Sequence, residues 1–407
     1  MHLDREEERI LNGEEGPAKA LALKAIVKVG ESLNATRLVK IGHAHISGIS
    51  YNNIGEPGLK FLKQLASMGA KTVVTTTVNP IGMDLDKPLL TGADEYFYKK
   101  QIEILEILKK INTQLTLTCI PYYVRKPSPN EHLAWGESSA VAYANSIIGA
   151  RTNREGGPLA LFAAITGRTY YAGLHVLESR RVTHRIVLDD VALRLANEYQ
   201  EVFLGVLGAY IASNIKEGIP LLDFHMLKTQ EWFIEGVKQL CASMGTYGNI
   251  SMCVIKDITP PGTYLDNTDA EKIVVDQKAL TKYLLRGAVE DVEMFFLGCP
   301  HTSLDTLNRL KNLVRKYTCR AKKQFFVALP RGIYNSLPRS AREFFEKKGI
   351  TLIRDTCLVV APLKNLGIRR IATNSMKTKF YLERLHNIDV AVYPLSKLVH
   401  SAFEGCT

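Results

Sequence analysis

The stretch MFFLGCPHTSLDTL occupies residues 294–307. Four apolar residues, Met294 to Leu297, stop at Gly298, and a Thr-Ser-Leu-Asp run then opens a helical pattern that continues through SLDTLNRLKNLVRKY. A short apolar run closed by glycine and followed by a helix start marks a buried parallel strand entering its crossover helix. Cys299, Pro300 and His301 lie between the two, so a thiol stands at the mouth of the turn. The same alternation extends in both directions. KQFFVALP leads to SAREFFEKKG, and ITLIRDTCLVV and IRRIATNS lead to MKTKFYLERLHN, with DVAVYPL after them. In the first half ATRLVKIG precedes PGLKFLKQLASMG, KTVVTTTV precedes DEYFYKKQIEILEILKKIN, and QLTLTCI precedes ESSAVAYANSIIGA. Strand-helix alternation predicts an α/β fold of parallel sheets covered by helices. At 407 residues the chain has room for two or three packed units. Residues 191–244 read as mostly helical, and 257–270, DITPPGTYLDNTDA, reads as a boundary or lid loop between subdomains 1–256 and 271–407.

Several classes are set aside by composition. No apolar run reaches membrane-spanning length; the longest, 202–215, is broken by Gly, Ser and Asn and suits a buried helix. The acidic start MHLDREEERIL lacks the basic and apolar regions of a signal peptide, which predicts a cytoplasmic protein. The net charge of +11 is spread over scattered groups such as Arg180-Arg181, 320–323 and Arg369-Arg370. That pattern reads as solvated surface first and a small anionic substrate second. An RNA-binding regulator is the remote alternative, because no basic stripe or aromatic RNA-binding pattern accompanies the charge. None of the seven cysteines forms a C-x-x-C pair, so zinc ribbons and thioredoxin-type motifs are excluded.

In parallel α/β sheets ligands bind beyond the carboxyl ends of the strands. Five loops answer to that rule: Asn79-Pro80; Cys119-Ile120-Pro121-Tyr122; Cys299-Pro300-His301; Cys357; and Thr373-Asn374-Ser375, which opens a helix carrying Lys377. A buried cysteine is ordinarily a small apolar residue, yet three at equivalent strand ends point to a soft metal. Zinc, iron and an iron–sulfur centre all accept three thiolates. A metal with an open position activates a substrate hydroxyl as a leaving group, so a hydro-lyase is the first reading and a structural metal the second. Cys241 and Cys253 are expected to pack, Cys319 to sit at a helix end, and Cys406 to lie in the tail; none of these four is expected to be a ligand.

The polar loops are weaker signals. HAHISGISYNN (43–53) has glycines that let backbone amides approach an anion, though an ordinary turn explains it equally; His43 and His45 are expected to be structural. Glu137 and Ser138 either cap a helix or handle a proton and hold a substrate. Arg151 and Arg154 fit a carboxylate or phosphate clamp or a salt-bridged loop. Ser375 and Lys377 form a reasonable anion site at a helix start.

Taken together, TCIPYY, WGESSAVAYANSIIGARTNREGGPLALFAAITGRTYYAGLH, LGCPH and TNSMK resemble the aconitase X family, and HISGISYNNIGEPGLKFL and TTTVNPIGMD fit it too. The resemblance covers essentially the whole chain. It implies an aconitase-like fold, with several α/β subdomains around a central metal site, and an iron-dependent hydro-lyase. It implies Cys119, Cys299 and Cys357 as metal ligands of a [4Fe-4S] cluster, with a [2Fe-2S] cluster or a single iron as alternatives. The implied substrate residues are Gly48, Ile49, Ser50, Asn79, Pro80, Glu137, Ser138, Ser375 and Lys377, with Glu137 and Ser138 also in catalytic roles. The swivelling domain that carries the main catalytic base is expected on a separate small subunit, in a heterodimer or larger assembly, because the chain ends without one. The substrate expected from the resemblance is (R)-5-phosphomevalonate of the archaeal mevalonate route to isoprenoids, with cis-3-hydroxy-L-proline or another 3-hydroxy acid as the alternative.

Overall fold

A computed structural model describes residues 1–215, 217–284 and 291–405. Its third part is a five-stranded, all-parallel sheet in the spatial order Ile350–Arg354, Gln324–Leu329, Met294–Leu297, Arg370–Thr373, Asp389–Val392. The Met294–Leu297 strand is central, and its side chains alternate between two cores. Phe295 and Leu297 join the cluster under helices Leu304–Val314 and Leu395–Ala402. Met294 and Phe296 join the cluster built around helices Glu201–Asn214 and Phe233–Tyr247. Burial on both faces is why the strand reads as an unbroken apolar run. Chain order reverses between Met294–Leu297 and Arg370–Thr373, and that switch point is where a parallel sheet opens a crevice for ligands.

The first part holds a three-stranded parallel sheet, Thr76–Val78, His43–Ile46 and Leu133–Trp135, with His43–Ile46 in the middle. A short antiparallel ribbon pairs Leu38–Lys40 with Arg168–Tyr170. Two expectations are corrected here. HAHI, read as the start of a polar loop, is a fully buried central strand. QLTLT, read as a strand, is an extended segment with one bridge, Gln114 to Thr77. It cannot continue as a ladder because Leu117 takes a left-handed φ of 47°. Thr116 Oγ1 nevertheless donates to the Val78 carbonyl and the Thr118 amide donates to the same oxygen, so Cys119 still arrives at the end of the sheet.

Residues 191–244 are mostly helical, as expected, in Asp190–Tyr199, Glu201–Asn214 and Phe233–Tyr247, and the middle part also holds a sheet. Four short parallel strands lie in the order Val254–Ile255, Pro220–Leu222, His184–Leu188, Glu271–Val275. Residues 257–270 therefore connect two strands of one sheet, and the sheet spans the boundary expected there. The helices Glu201–Asn214 and Phe233–Tyr247 pack so closely that a Cβ on Gly208 would stand 2.6 Å from the Leu240 carbonyl oxygen. Cys241 and Cys253 are buried in this region, as expected. Cys406 lies outside the described residues. Among the described residues no helix is long and apolar enough to cross a membrane.

Candidate active site

Cys299 follows the central strand, Cys357 follows the edge strand Ile350–Arg354, and Cys119 follows the extended segment beside Thr76–Val78. All three are buried. The Cys299 and Cys357 thiols lie against each other, and their interaction draws the Cys299 thiol down to about 7 while Cys357 is pushed well above the ordinary value. The two therefore titrate as a pair. Burial pushes Cys119 up to about 12, with the charges of Glu137 and Cys299 adding to it. The three sulfurs therefore share one buried region and sense each other's charge. Among the described residues, no three His, Cys, Asp or Glu side chains are gathered tightly enough to hold a single metal ion.

Two observations test whether this region suits an iron–sulfur group. Among the described residues the donor set is three soft thiols, Cys119, Cys299 and Cys357. The hydroxyls of Thr356, the residue before Cys357, and of Thr373 are buried with no hydrogen-bond partner among the described residues, and Thr378 lies against Cys299. Unsatisfied buried donors are costly, and beside thiols they suit cluster sulfurs, which accept weak hydrogen bonds. The residues fit such a group.

Glu137 lies beside the cysteines and is the most heavily bonded carboxylate there. Its side chain caps the helix Ser138–Tyr143, and its Oε1 accepts from the Ser139 amide at 3.3 Å, the Ser139 hydroxyl at 3.1 Å and the Lys377 ammonium. Oε2 accepts from Asn79 Nδ2 at 2.7 Å. Burial alone would raise the Glu137 pKa, but the Lys377 cation and these donors bring it down to about 2. Burial pulls the other way on Lys377, yet Glu137 and Cys299 hold it above the usual lysine value. Lys377 also donates to Ser138 Oγ at 3.2 Å, so a fixed cation, a hydroxyl and the Cys299 thiol stand together.

Behind Asn79 runs a chain whose direction is set at its far end. The Trp135 indole N–H can only donate, and it donates to His43 Nδ1 at 2.9 Å. Burial holds both His43 and His45 neutral, lowering them to about 3 and about 4. Hence His43 Nε2 donates to Thr77 Oγ1 at 3.4 Å, and that hydroxyl donates to His45 Nδ1 at 2.8 Å. His45 Nε2 then donates to Asn79 Oδ1 at 2.8 Å, which leaves the Asn79 amine facing Glu137. The two histidines are structural, as expected, and they orient the amide that serves Glu137.

The remaining candidates divide. Ser50 caps the helix Tyr51–Ser67 and donates to the Val360 carbonyl at 2.9 Å, tying its loop to the turn after Cys357. Ile49 is a core side chain, so only its backbone and that of Gly48 are left for a ligand. Pro80 sits between Asn79 and Ile81, whose amide donates to the Asp355 carbonyl at 2.8 Å. Ser375 spends its hydroxyl capping the helix Met376–Tyr381. Arg151 and Arg154 are held by uncharged oxygens, Arg151 on Asn130 and the His175 carbonyl and Arg154 on the Gly245 carbonyl. Sequence reasoning assigned no role to Glu235, Lys238 and Gln239, which sit behind Cys299. Lys238 donates to Glu235 at 2.7 Å and to the His301 carbonyl at 3.2 Å, and Gln239 donates to the Cys299 carbonyl at 3.2 Å. Their i, i+3, i+4 spacing in FIEGVKQL, a polar face on a buried helix, was the available signal.

Three family models match consecutive stretches of the chain: Aconitase X first domain over residues 1–178, second domain over 182–284 and third domain over 292–404. The chain is 41% identical to the phosphomevalonate dehydratase large subunit of Aeropyrum pernix, covering 98% of this chain and 99% of that one. It is 36% identical to the protein of the same name from Methanocaldococcus jannaschii, at 98% and 99% coverage. The cis-3-hydroxy-L-proline dehydratase of Hypocrea jecorina is 28% identical, and the match covers 69% of that protein. Among solved structures, Thermococcus kodakaraensis aconitase X in its holo-form superposes with a TM-score of 0.89 at 35% identity, covering 99% of this chain and all of that one.

Proposed function

Because the chain belongs to the aconitase X family of dehydratases, we propose that it is the large subunit of a hydro-lyase that converts (R)-5-phosphomevalonate to trans-anhydromevalonate 5-phosphate in an archaeal mevalonate route. The observation that carries the choice of substrate is coverage. The phosphomevalonate-type relatives are matched end to end at 41% and 36% identity, whereas the hydroxyproline-type relative is matched over 69% of its length at 28%.

Cys119, Cys299 and Cys357 would hold a [4Fe-4S] cluster, and such a group, when bound, supplies the Lewis acidity that makes the 3-hydroxyl a leaving group. The roles of this chain's own residues follow from their contacts. Lys377, a buried cation, binds the substrate carboxylate, with the Ser138 hydroxyl beside it. Glu137 keeps that cation in place and charged, and Asn79 keeps Glu137 oriented. The backbone at Gly48 to Ser50 receives the phosphate end. The proton next to the carboxylate is taken by a base on a small swivelling partner subunit that closes over the site.

The test is anaerobic purification of this chain alone and together with the small subunit, followed by iron and sulfide analysis and assays with both candidate substrates. The expected result is about four irons and four sulfides per large subunit, with turnover of phosphomevalonate that requires both subunits. Full activity from the isolated chain, or preference for cis-3-hydroxy-L-proline, overturns the proposal; two irons with two sulfides, or one iron without sulfide, overturns the cluster type.

A further inference from the structure

His301, two residues beyond Cys299, is fully buried and bonded to all three cysteine-bearing segments. Its backbone N–H donates to Cys119 Sγ at 3.2 Å. Its Nε2 lies 2.8 Å from the carbonyl oxygen of Thr356, the residue before Cys357. Its Nδ1 lies 3.2 Å from the hydroxyl of Thr118, the residue before Cys119. A carbonyl only accepts, so Nε2 carries the hydrogen; the neutral ring then leaves Nδ1 to accept from Thr118. The Thr118 oxygen in turn accepts from the Ile120 amide at 3.2 Å, bracketing Cys119 from both sides. On the far side the His301 carbonyl takes the Lys238 ammonium, a buried cation neutralised by Glu235.

Resting on the reading of Cys119, Cys299 and Cys357 as iron ligands, we propose that His301 is the positioning residue that fixes the spacing of all three. One donor and one acceptor on opposite edges of a rigid ring join the Cys119 and Cys357 segments, while the backbone of the same residue belongs to the Cys299 turn. A carboxamide carries its donor and acceptor side by side and cannot span the two segments. Partners that orient metal ligands without touching the metal change affinity by about 10–100-fold when removed.

The experiment compares wild type, His301→Asn, Thr118→Val and Cys299→Ser, each reconstituted anaerobically with iron and sulfide. Readouts are iron and sulfide per chain across an iron-chelator titration, the half-life of the cluster absorbance in air, and the Tm of the iron-free chain. A role confined to packing would move the iron-free Tm and leave chelator resistance alone. The expected result is a fall in iron affinity of about 10–100-fold in H301N, a smaller fall in T118V, and shortened air half-lives in both. Wild-type iron retention in H301N refutes the proposal. If H301N loses cooperative melting, T118V decides, and wild-type retention there refutes it equally. Loss of iron in C299S alongside retention in H301N sinks only this inference; full retention in C299S sinks the ligand assignment itself.

Discussion

Glu155 offers a stability measurement that stands apart from the chemistry. Its side chain lies in the interior of the first part, where Oε2 accepts from the Tyr170 hydroxyl at 3.1 Å and Oε1 from Thr169 at 3.4 Å. Burial raises its pKa from 4.5 to about 7, and the two hydroxyls recover only part of that penalty. An acid whose folded pKa exceeds its unfolded one binds more protons when folded. Stability from this group is therefore fully present below about pH 4.5 and is lost as pH rises through about 7. At about 1.4 kcal/mol per pH unit the gap is worth roughly 3 kcal/mol. Glu155→Gln keeps the acceptor oxygen and removes the charge, while its new N–H donors lack partners and take back about 1 kcal/mol. The variant should be more stable than wild type by about 2 kcal/mol at pH 8, or about 4–8 °C in Tm for a unit of 150–250 residues. The two should converge near pH 5. Thermal melts of the iron-free chain from pH 5 to pH 8 provide the assay. An advantage that is the same at both ends of the range, or missing at pH 8, would show that burial is not what holds the proton.

Two further outcomes concern packing and pairing. Lys377→Met strands the Glu137 carboxylate in the interior and should cost about 3–5 kcal/mol in denaturant unfolding of the iron-free chain; adding Glu137→Gln should recover part of that loss, and equal costs for the single and double variants would show the pair is uncoupled. Gly208→Ala pushes a methyl group against the Leu240 carbonyl and should cost about 1–3 kcal/mol by the same measurement; no loss there would mean the two helices separate freely.

The sequence was most legible where burial is complete and one-sided chemistry is absent. MFFL and QFFVAL are apolar because both faces of a parallel strand are covered, so those strands and the thiol at the turn after MFFL could be placed from letters alone. The failures have the opposite cause. HAHI looked polar because its rings satisfy one another: His43 bonds to Trp135 and Thr77, and His45 to Thr77 and Asn79. A strand whose polar groups are internally paired can be buried without an apolar pattern. QLTLT carries the pattern but is broken by one backbone angle at Leu117 that composition does not record. The middle sheet was missed because strands as short as Pro220–Leu222 and Val254–Ile255 are too brief to show a period. His301 was visible in LGCPH as a motif letter. Its partners, at 118 and 356, are brought to it only by the folded topology.

The bonding of Glu137 also bears on the proposal that a second subunit supplies the base. A general base works best with a pKa near the operating pH, and a carboxylate at about 2 with both oxygens filled by donors is a weak acceptor for a carbon-bound proton. The other titratable groups around it are engaged as well. His45 has both ring nitrogens bonded, to Thr77 and Asn79, and His301 has both bonded, to Thr118 and Thr356. Lys377 is a cation fixed against Glu137. Each of these groups is arranged to hold a neighbour still, and using one as a base would dismantle the arrangement that positions the cysteines or the cation. The proton is therefore best removed by a group that arrives from outside this network when the substrate is bound, and that requirement is met if the proposed partner subunit carries it.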